Sequence, residues 1–194
     1  MPQKSSDAIK NAIKMAAMIE IPFWQKPSEA GMAMAFILKN GTLHSSMAVR
    51  NNKFSPPANI QLSARNPNET LCQNFALTNK MSTKYAEGFY ISRDSFAPIS
   101  HAWSTNKNGT VTDYANTPND HLIYFGYAFD HDIVKEHLST EKKALRILTI
   151  ENMIKFDPEI LSFYEDLRSQ GQQELQSCID QAIESKSINT GFSL

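Results

Sequence analysis

Glycine is scarce here, with seven among 194 residues, and no stretch resembles the Gly-rich loop that cradles a phosphate. Nucleotide binding therefore has no support in the sequence. Only two cysteines occur, Cys72 and Cys178, too few for a disulfide framework. That scarcity points to a reduced, cytoplasmic setting, although a small effector delivered without a classical signal peptide would also have few. Long apolar runs are missing as well. The longest, Met32 to Leu38, is far too short to span a bilayer. Met1 to Glu20 contains Lys4, Lys10 and Lys14 but no continuous apolar segment of the secretory kind. The Asn-x-Ser/Thr matches at Asn40, Asn68 and Asn108 then have no glycosylating compartment to act in. The net charge is −1, with no Lys/Arg run, so neither a nucleic acid nor a membrane surface is expected as a partner.

What remains is the composition of an ordinary globular chain, 41% hydrophobic and 20% charged. It is long enough to bury one sizeable core, which predicts a single domain over 1–194. Ser5 to Glu20 reads as an amphipathic helix capped by Ser5 or Ser6. Ile9, Ala12, Ile13, Ala16 and Ala17 recur at helical spacing, and Pro22 stops it. Ala33 to Leu38 and Leu43 to Val49 flank the Asn40-Gly41 pair, a tight-turn signal, and read as a β-hairpin. Asn51 to Asn68, with three prolines, reads as a surface loop, and Thr70 to Met81 as a short helix opened by Asn66-Pro67.

Four strand-like runs follow: Tyr85 to Ser92, Ile99 to Thr105, Thr110 to Ala115 and His121 to Phe129. Asn106-Lys107-Asn108-Gly109 should turn the second into the third. From Asp130 the pattern is helical. Asp157-Pro158 opens a helix whose residues Leu175, Cys178, Ile179, Ala182 and Ile183 form an apolar stripe expected to face the core, with a frayed tail after Ser185. A helix followed by a strand meander predicts an α+β fold, with a catalytic core at about 68–129 and a helical region at about 130–185.

Chemistry is concentrated in three places: Leu71-Cys72-Gln73-Asn74, His101-Ala102-Trp103 and Val111-Thr112-Asp113. A thiol at a helix start lies near unpaired N–H groups, which favour the thiolate and can hold an oxyanion. His101 lies five residues before the expected turn and Asp113 four after it. Antiparallel pairing would make them cross-strand or diagonal neighbours. Asp113 would then orient the imidazole while His101 deprotonates Cys72. Trp103 reads as packing that shields the pair from water. Cys178, inside an apolar stripe, reads as core. Asp130-His131-Asp132, with His121 and His137 nearby, reads as an acidic helix start rather than a metal site, and no cofactor is expected.

A helix-borne Cys, then a strand with His-Ala-Trp, then a strand ending Val-x-Asp resembles the transglutaminase-like branch of the papain-like superfamily. Tyr85-Ala86-Glu87-Gly88-Phe89-Tyr90 and Tyr124-Phe125-Gly126 are similar to the strands around the histidine hairpin in compact bacterial or phage-encoded members. The likeness covers about 68–129. Asp113 is followed by Tyr114 where the family commonly has Pro. The resemblance implies a papain-like fold, with catalytic helix packed on an antiparallel sheet. It also implies Cys72, His101 and Asp113 as a triad, and a side-chain donor helping the Cys72 N–H hold the oxyanion. Gln73, Asn74 and Gln61 are chemically able to be that donor, and Trp103 and Tyr124 could line the substrate channel.

The function this implies is acyl transfer from an amide or isopeptide bond of a protein or peptide substrate, through a thioester at Cys72. Water as acceptor makes a peptidase, amidase or deamidase; an amine makes a transglutaminase. Hydrolysis is expected, since no dedicated amine site is visible. A binding module of the same fold without turnover, or an assembly protein joined through its C-terminal helices, would be the alternatives from other classes. Oligomeric state is not legible.

Overall fold

The computed structural model describes residues 2–23, 26–44, 72–73, 83–92, 95–106, 108–113, 122–141 and 146–189. Among the described residues, five helices, a helical segment at Cys72–Gln73 and one antiparallel sheet make an α+β fold. Helix α1 spans Pro2–Glu20 and ends in a 3₁₀ turn at Ile21–Phe23, where Pro22 has no N–H to continue the ladder. Its buried residues Ile9, Ile13 and Ala17 recur every fourth position, as the sequence pattern requires.

The expected hairpin at Ala33 to Leu38 is corrected. These residues belong to helix α2, Glu29–Asn40, followed by the short strand β1, Thr42–His44. Ser28 caps the helix by accepting the Gly31 N–H at 3.1 Å, and Glu29 sits favourably in its first turn. Met32, Met34, Ala35, Phe36 and Ile37 are all buried, because α2 runs between α1, the sheet and the last helix. A helix apolar all round shows no 3.6-residue period, and so its sequence imitates a strand. Asn40-Gly41 ends the helix rather than turning a hairpin; the Gly41 N–H donates to the Ile37 carbonyl at 2.8 Å.

The sheet has strand order β1-β5-β2-β3-β4, with β2 at Thr83–Ser92, β3 at Ser95–Asn106, β4 at Val111–Thr112 and β5 at Leu122–Phe129. Every neighbour is antiparallel. Strand β3 starts four residues earlier than its sequence suggests. Pro98 is accommodated where the β2–β3 register shifts between Tyr90 and Ser92, and a proline needs such an irregularity.

Alternation along the strands divides the side chains between two faces. Tyr85, Phe89, Ile91, Ala102, Phe125 and Phe129 face the helices and join the main core with Ile9, Ile13, Met32 and Phe36. Ala86, Trp103, Val111, Leu122 and Tyr124 form a second, smaller cluster on the opposite face.

Helices α3, His131–Glu141, α4, Ile150–Phe156, and α5, Ile160–Asn189, complete the chain. Asp157 closes α4 and prepares α5, its Oδ1 accepting the Glu159 N–H at 3.1 Å. Helix α5 continues past Ser185, where a frayed tail was expected. A second correction concerns its stripe: Leu175, Cys178 and Ile179 are exposed, not core. The last buried position among the described residues is Gly171, and every described residue from Gln172 to Gln181 is exposed. A stripe at helical spacing marks one apolar side of a helix but not what lies against it.

The expected loop at Asn51 to Asn68, together with Gln61, Asn74, Tyr114 and His121, lies outside the described residues.

Candidate active site

The hairpin that builds the site is held by one asparagine. Asn106 Oδ1 accepts the N–H groups of Asn108 and Thr110, both at 2.9 Å, and Gly109 closes the turn at φ 76°, a left-handed conformation suited to glycine. Ser104 then pairs with Thr112 and Thr105 with Val111. Continued by one residue, that register sets Asp113 opposite Trp103 and diagonal to His101. His101 Nε2 lies 2.8 Å from Asp113 Oδ2. With the Nε2 proton directed at the carboxylate, Nδ1 is the basic nitrogen of the ring.

The carboxylate side chain is fully buried, while the imidazole is 13% exposed. Asp113 Oδ2 also accepts the Tyr124 hydroxyl at 2.7 Å, so one buried oxygen takes donors from β3 and β5. Around them is an aromatic wall. The Tyr90 ring meets His101 edge-on at 5.3 Å, Trp103 lies nearly parallel to the imidazole at 6.5 Å, and Tyr124 packs edge-on against Trp103 at 5.2 Å.

Trp103 spreads across the sheet because two paired glycines make room. Gly88 stands opposite Gly126. A Cβ on Gly126 would sit 2.4 Å from the Glu87 carbonyl oxygen and 2.6 Å from the indole ring. The indole Nε1–H donates to His44 Nδ1 at 3.0 Å, which anchors the ring to β1. Burial lowers the His44 pKa to about 4, and the ring is therefore neutral at physiological pH, with Nδ1 available as acceptor.

Cys72 and Gln73 are helical and buried. Cys72 packs with the helix-side core, and its Sγ donates to the Ala102 carbonyl at 3.9 Å. Asn106 exchanges backbone bonds with β4 through the Asn106 N–H and the Thr110 carbonyl, and Ser104 pairs with Thr112. By alternation Ala102 turns its carbonyl toward the same edge. The thiol thus reaches β3 from its β4 edge, one residue along from His101. The Cys72 carbonyl in turn accepts the Ser104 hydroxyl at 3.2 Å.

Gln73 does not face the aromatic wall. Its side chain hydrogen-bonds the Tyr85 hydroxyl, and that hydroxyl donates to Glu87 Oε1 at 2.8 Å. Glu87 is buried and also accepts the N–H groups of Ile147, at 2.6 Å, and Leu148, at 3.0 Å. Burial raises its pKa, with those three donors opposing the rise. The segment bearing the thiol is thereby tied through β2 to the chain entering α4.

The structure thus brings together His101, Asp113, Trp103 and Tyr124 on one face, with Cys72 at the adjoining edge and Gln73 directed to the other side. Sequence reasoning missed Glu87 and His44. Glu87 had a signal: it is a carboxylate at a core-facing position between Tyr85 and Phe89, where alternation calls for an apolar residue. His44 had none, because its partner is 59 residues away.

Among the described residues no group of three His, Cys, Asp or Glu side chains could hold a metal ion, and no helix is long and apolar enough to cross a membrane. Asp130, at the suggested acidic cluster, instead pairs with Lys84 at 2.6 Å.

No family model, curated protein or solved structure matches this chain.

Proposed function

We propose that the chain is a thiol-dependent acyl transferase of the transglutaminase-like branch of the papain-like superfamily, acting on an amide or isopeptide bond of a protein or peptide. The observation that carries this reading is the 2.8 Å His101–Asp113 pair, set one residue from the carbonyl to which Cys72 donates. A buried carboxylate fixing Nε2–H leaves Nδ1 as the base for a thiol that meets the same strand one residue away.

In this reading the Cys72 S–H gives its proton to His101 Nδ1, leaving a thiolate. The thiolate then attacks the acyl carbon: an S–C bond forms, the C–N bond breaks, and the imidazolium proton goes to the leaving amine. Water, activated by the same nitrogen, resolves the thioester to the acid and restores the thiol. Asp113 balances the charge on His101 in each half-reaction, and Tyr124 holds Asp113 in place. Trp103 keeps bulk water from the pair. Hydrolysis is the proposed fate, since transglutamination needs an amine to outcompete water in an organised acceptor channel.

One observation favours a peptide-binding module of the same fold without turnover: the Cys72 side chain is fully buried and already has an acceptor. Incubation with glutamine-containing peptides and a labelled primary amine, read by mass spectrometry, separates these readings. Cleavage or loss of ammonia, abolished in Cys72→Ala, is the expected result. Amine incorporation would mark a transglutaminase, and no change in any peptide would favour the binding module.

A further inference from the structure

Helix α5 leaves the domain before it ends. Its last described buried residue is Gly171, whose added Cβ would stand 2.4 Å from the Met18 carbonyl oxygen. Here α5 and α1 touch backbone to backbone. Beside this contact the two helices line an apolar groove of about 410 Å³, formed by Met15, Met18, Ile19, Leu175 and Cys178 together with Glu174. Met15 is 65% exposed, Ile19 63%, Ile179 44% and Leu175 43%. These are four of the six large hydrophobic residues exposed among the described residues; Met15, Ile19 and Leu175 line the groove, and Ile179 follows Leu175 one helical turn on.

The stripe runs on past the groove. Leu175, Cys178 and Ile179 are continued at the same spacing by Ala182 and Ile183. Residues 172–189 extend for about 27 Å at the rise of an α-helix. A helix of that length with a mixed polar sequence gains little stability from propensity alone, and its described side chains from Gln172 to Gln181 are all exposed.

We propose that this surface is the interface of a two-fold dimer, in which α5 of each copy lies antiparallel in the α1–α5 groove of its partner. Two properties select a second copy over a different protein. First, the groove and the helix that would fill it share residues: Leu175 and Cys178 line the groove and also form the stripe. A two-fold axis passing near them covers both grooves and both stripes in one operation. Secondly, over residues 172–181 the flanks of the stripe are rich in glutamine, with Gln172, Gln173, Gln176 and Gln181 around two charged residues, Glu174 and Asp180. A two-fold axis sets like beside like. Glutamine both donates and accepts and so pairs with itself, whereas a charged rim would meet its own sign. The inference does not depend on the acyl-transfer reading.

The test is the mass of the full chain in solution by sedimentation velocity across a concentration series. It compares wild type, Leu175→Glu with Ile179→Glu, and Met15→Glu. All three changed positions are exposed, so far-UV circular dichroism and the thermal midpoint of the domain should be retained or fall only by loss of the dimer. Wild type should be dimeric at micromolar concentration. The α5 double variant should raise the dimer dissociation constant about tenfold or more, and Met15→Glu should weaken it from the groove side. Cys178, close to the axis, should cross-link to its counterpart with a short bismaleimide in wild type and not in the double variant. A monomeric wild type at high concentration would overturn the proposal, including one in which a different protein binds the groove. A dimer indifferent to all three substitutions would overturn it equally.

Discussion

His101 Nε2 stands 2.8 Å from Asp113 Oδ2, a distance set by the turn that Asn106 and Gly109 close between their strands. Shifting that register by one residue would send Asp113 to the other face of the sheet, since side chains alternate. The pair and its turn therefore stand or fall together. Asn106→Ala removes the acceptor of two backbone N–H groups. It should lower turnover through loss of the pairing while leaving Cys72 in place. Assay of product formation alongside a two-dimensional spectrum of the hairpin amides checks this; unchanged amide shifts at Asn108 and Thr110 would contradict it.

Asp113→Asn should preserve the fold and leave a small residual activity, because an amide can present its N–H to Nε2 and so favour the wrong imidazole tautomer. Tyr124→Phe removes one donor to the same carboxylate without touching the reacting atoms. It should cost roughly 1.5–3 kcal/mol of stability, the worth of a hydrogen bond to a charged group, and reduce turnover less than Asp113→Asn. Paired urea titrations and kcat measurements give both quantities. Equal loss of kcat in the two variants would place Tyr124 among the reacting groups.

His44 should make the fold sensitive to acid. The unfolded chain takes up this proton near the usual 6.5, whereas the folded chain holds out until about 4. Protons therefore bind preferentially to the unfolded state between those values. The stabilisation is present in full above 6.5, and about 3 kcal/mol of it is lost as the pH falls to about 4. Protonation also turns the acceptor of the Trp103 indole into a donor, opposing the Trp103–His44 bond. Stability measured in urea as a function of pH, compared with His44→Gln, should show a weaker dependence in the variant over that window.

Glu87, with Tyr85, ties three parts of the chain together, and the outcome of its replacement separates charge from shape. Glu87→Ala leaves the Tyr85 hydroxyl and two backbone N–H groups buried without their acceptor and should destabilise by about 3 kcal/mol or more. Glu87→Gln retains one oxygen and sheds a buried charge, so its cost should be much smaller. Hydrogen exchange at Ile147 and Leu148 should accelerate in the alanine variant. Protected amides there would mean that the carboxylate does not hold this segment.

Much of this architecture could be read from spacing alone. Ile9, Ile13 and Ala17 gave α1, and Asn106 to Gly109 gave the β3–β4 hairpin and with it the diagonal placement of His101 and Asp113. Both signals are local and periodic. Ala33 to Leu38 misled because a helix enclosed on all sides has no polar face to reveal its period. The α5 stripe misled for another reason: a pattern shows that one side of a helix is apolar, but nothing of whether its own domain covers that side. The partners of His44 and Glu87 were beyond reach, since their hydrogen bonds join residues 59 to 61 positions apart. Gly88 and Gly126 belong with these. Their role depends on the Trp103 ring lying over both, a consequence of strand order.

The central claim is that Cys72 is a nucleophile served by His101, and the chain carries its own control in the exposed Cys178. The decisive measurement is peptide-mapped labelling of the folded protein by an amide-mimicking electrophile, in wild type and in His101→Ala, near neutral pH. The account predicts an adduct on Cys72 in wild type that is lost in His101→Ala, with Cys178 labelled equally in both. Labelling of Cys178 alone in wild type, or of Cys72 to the same extent without His101, would contradict it.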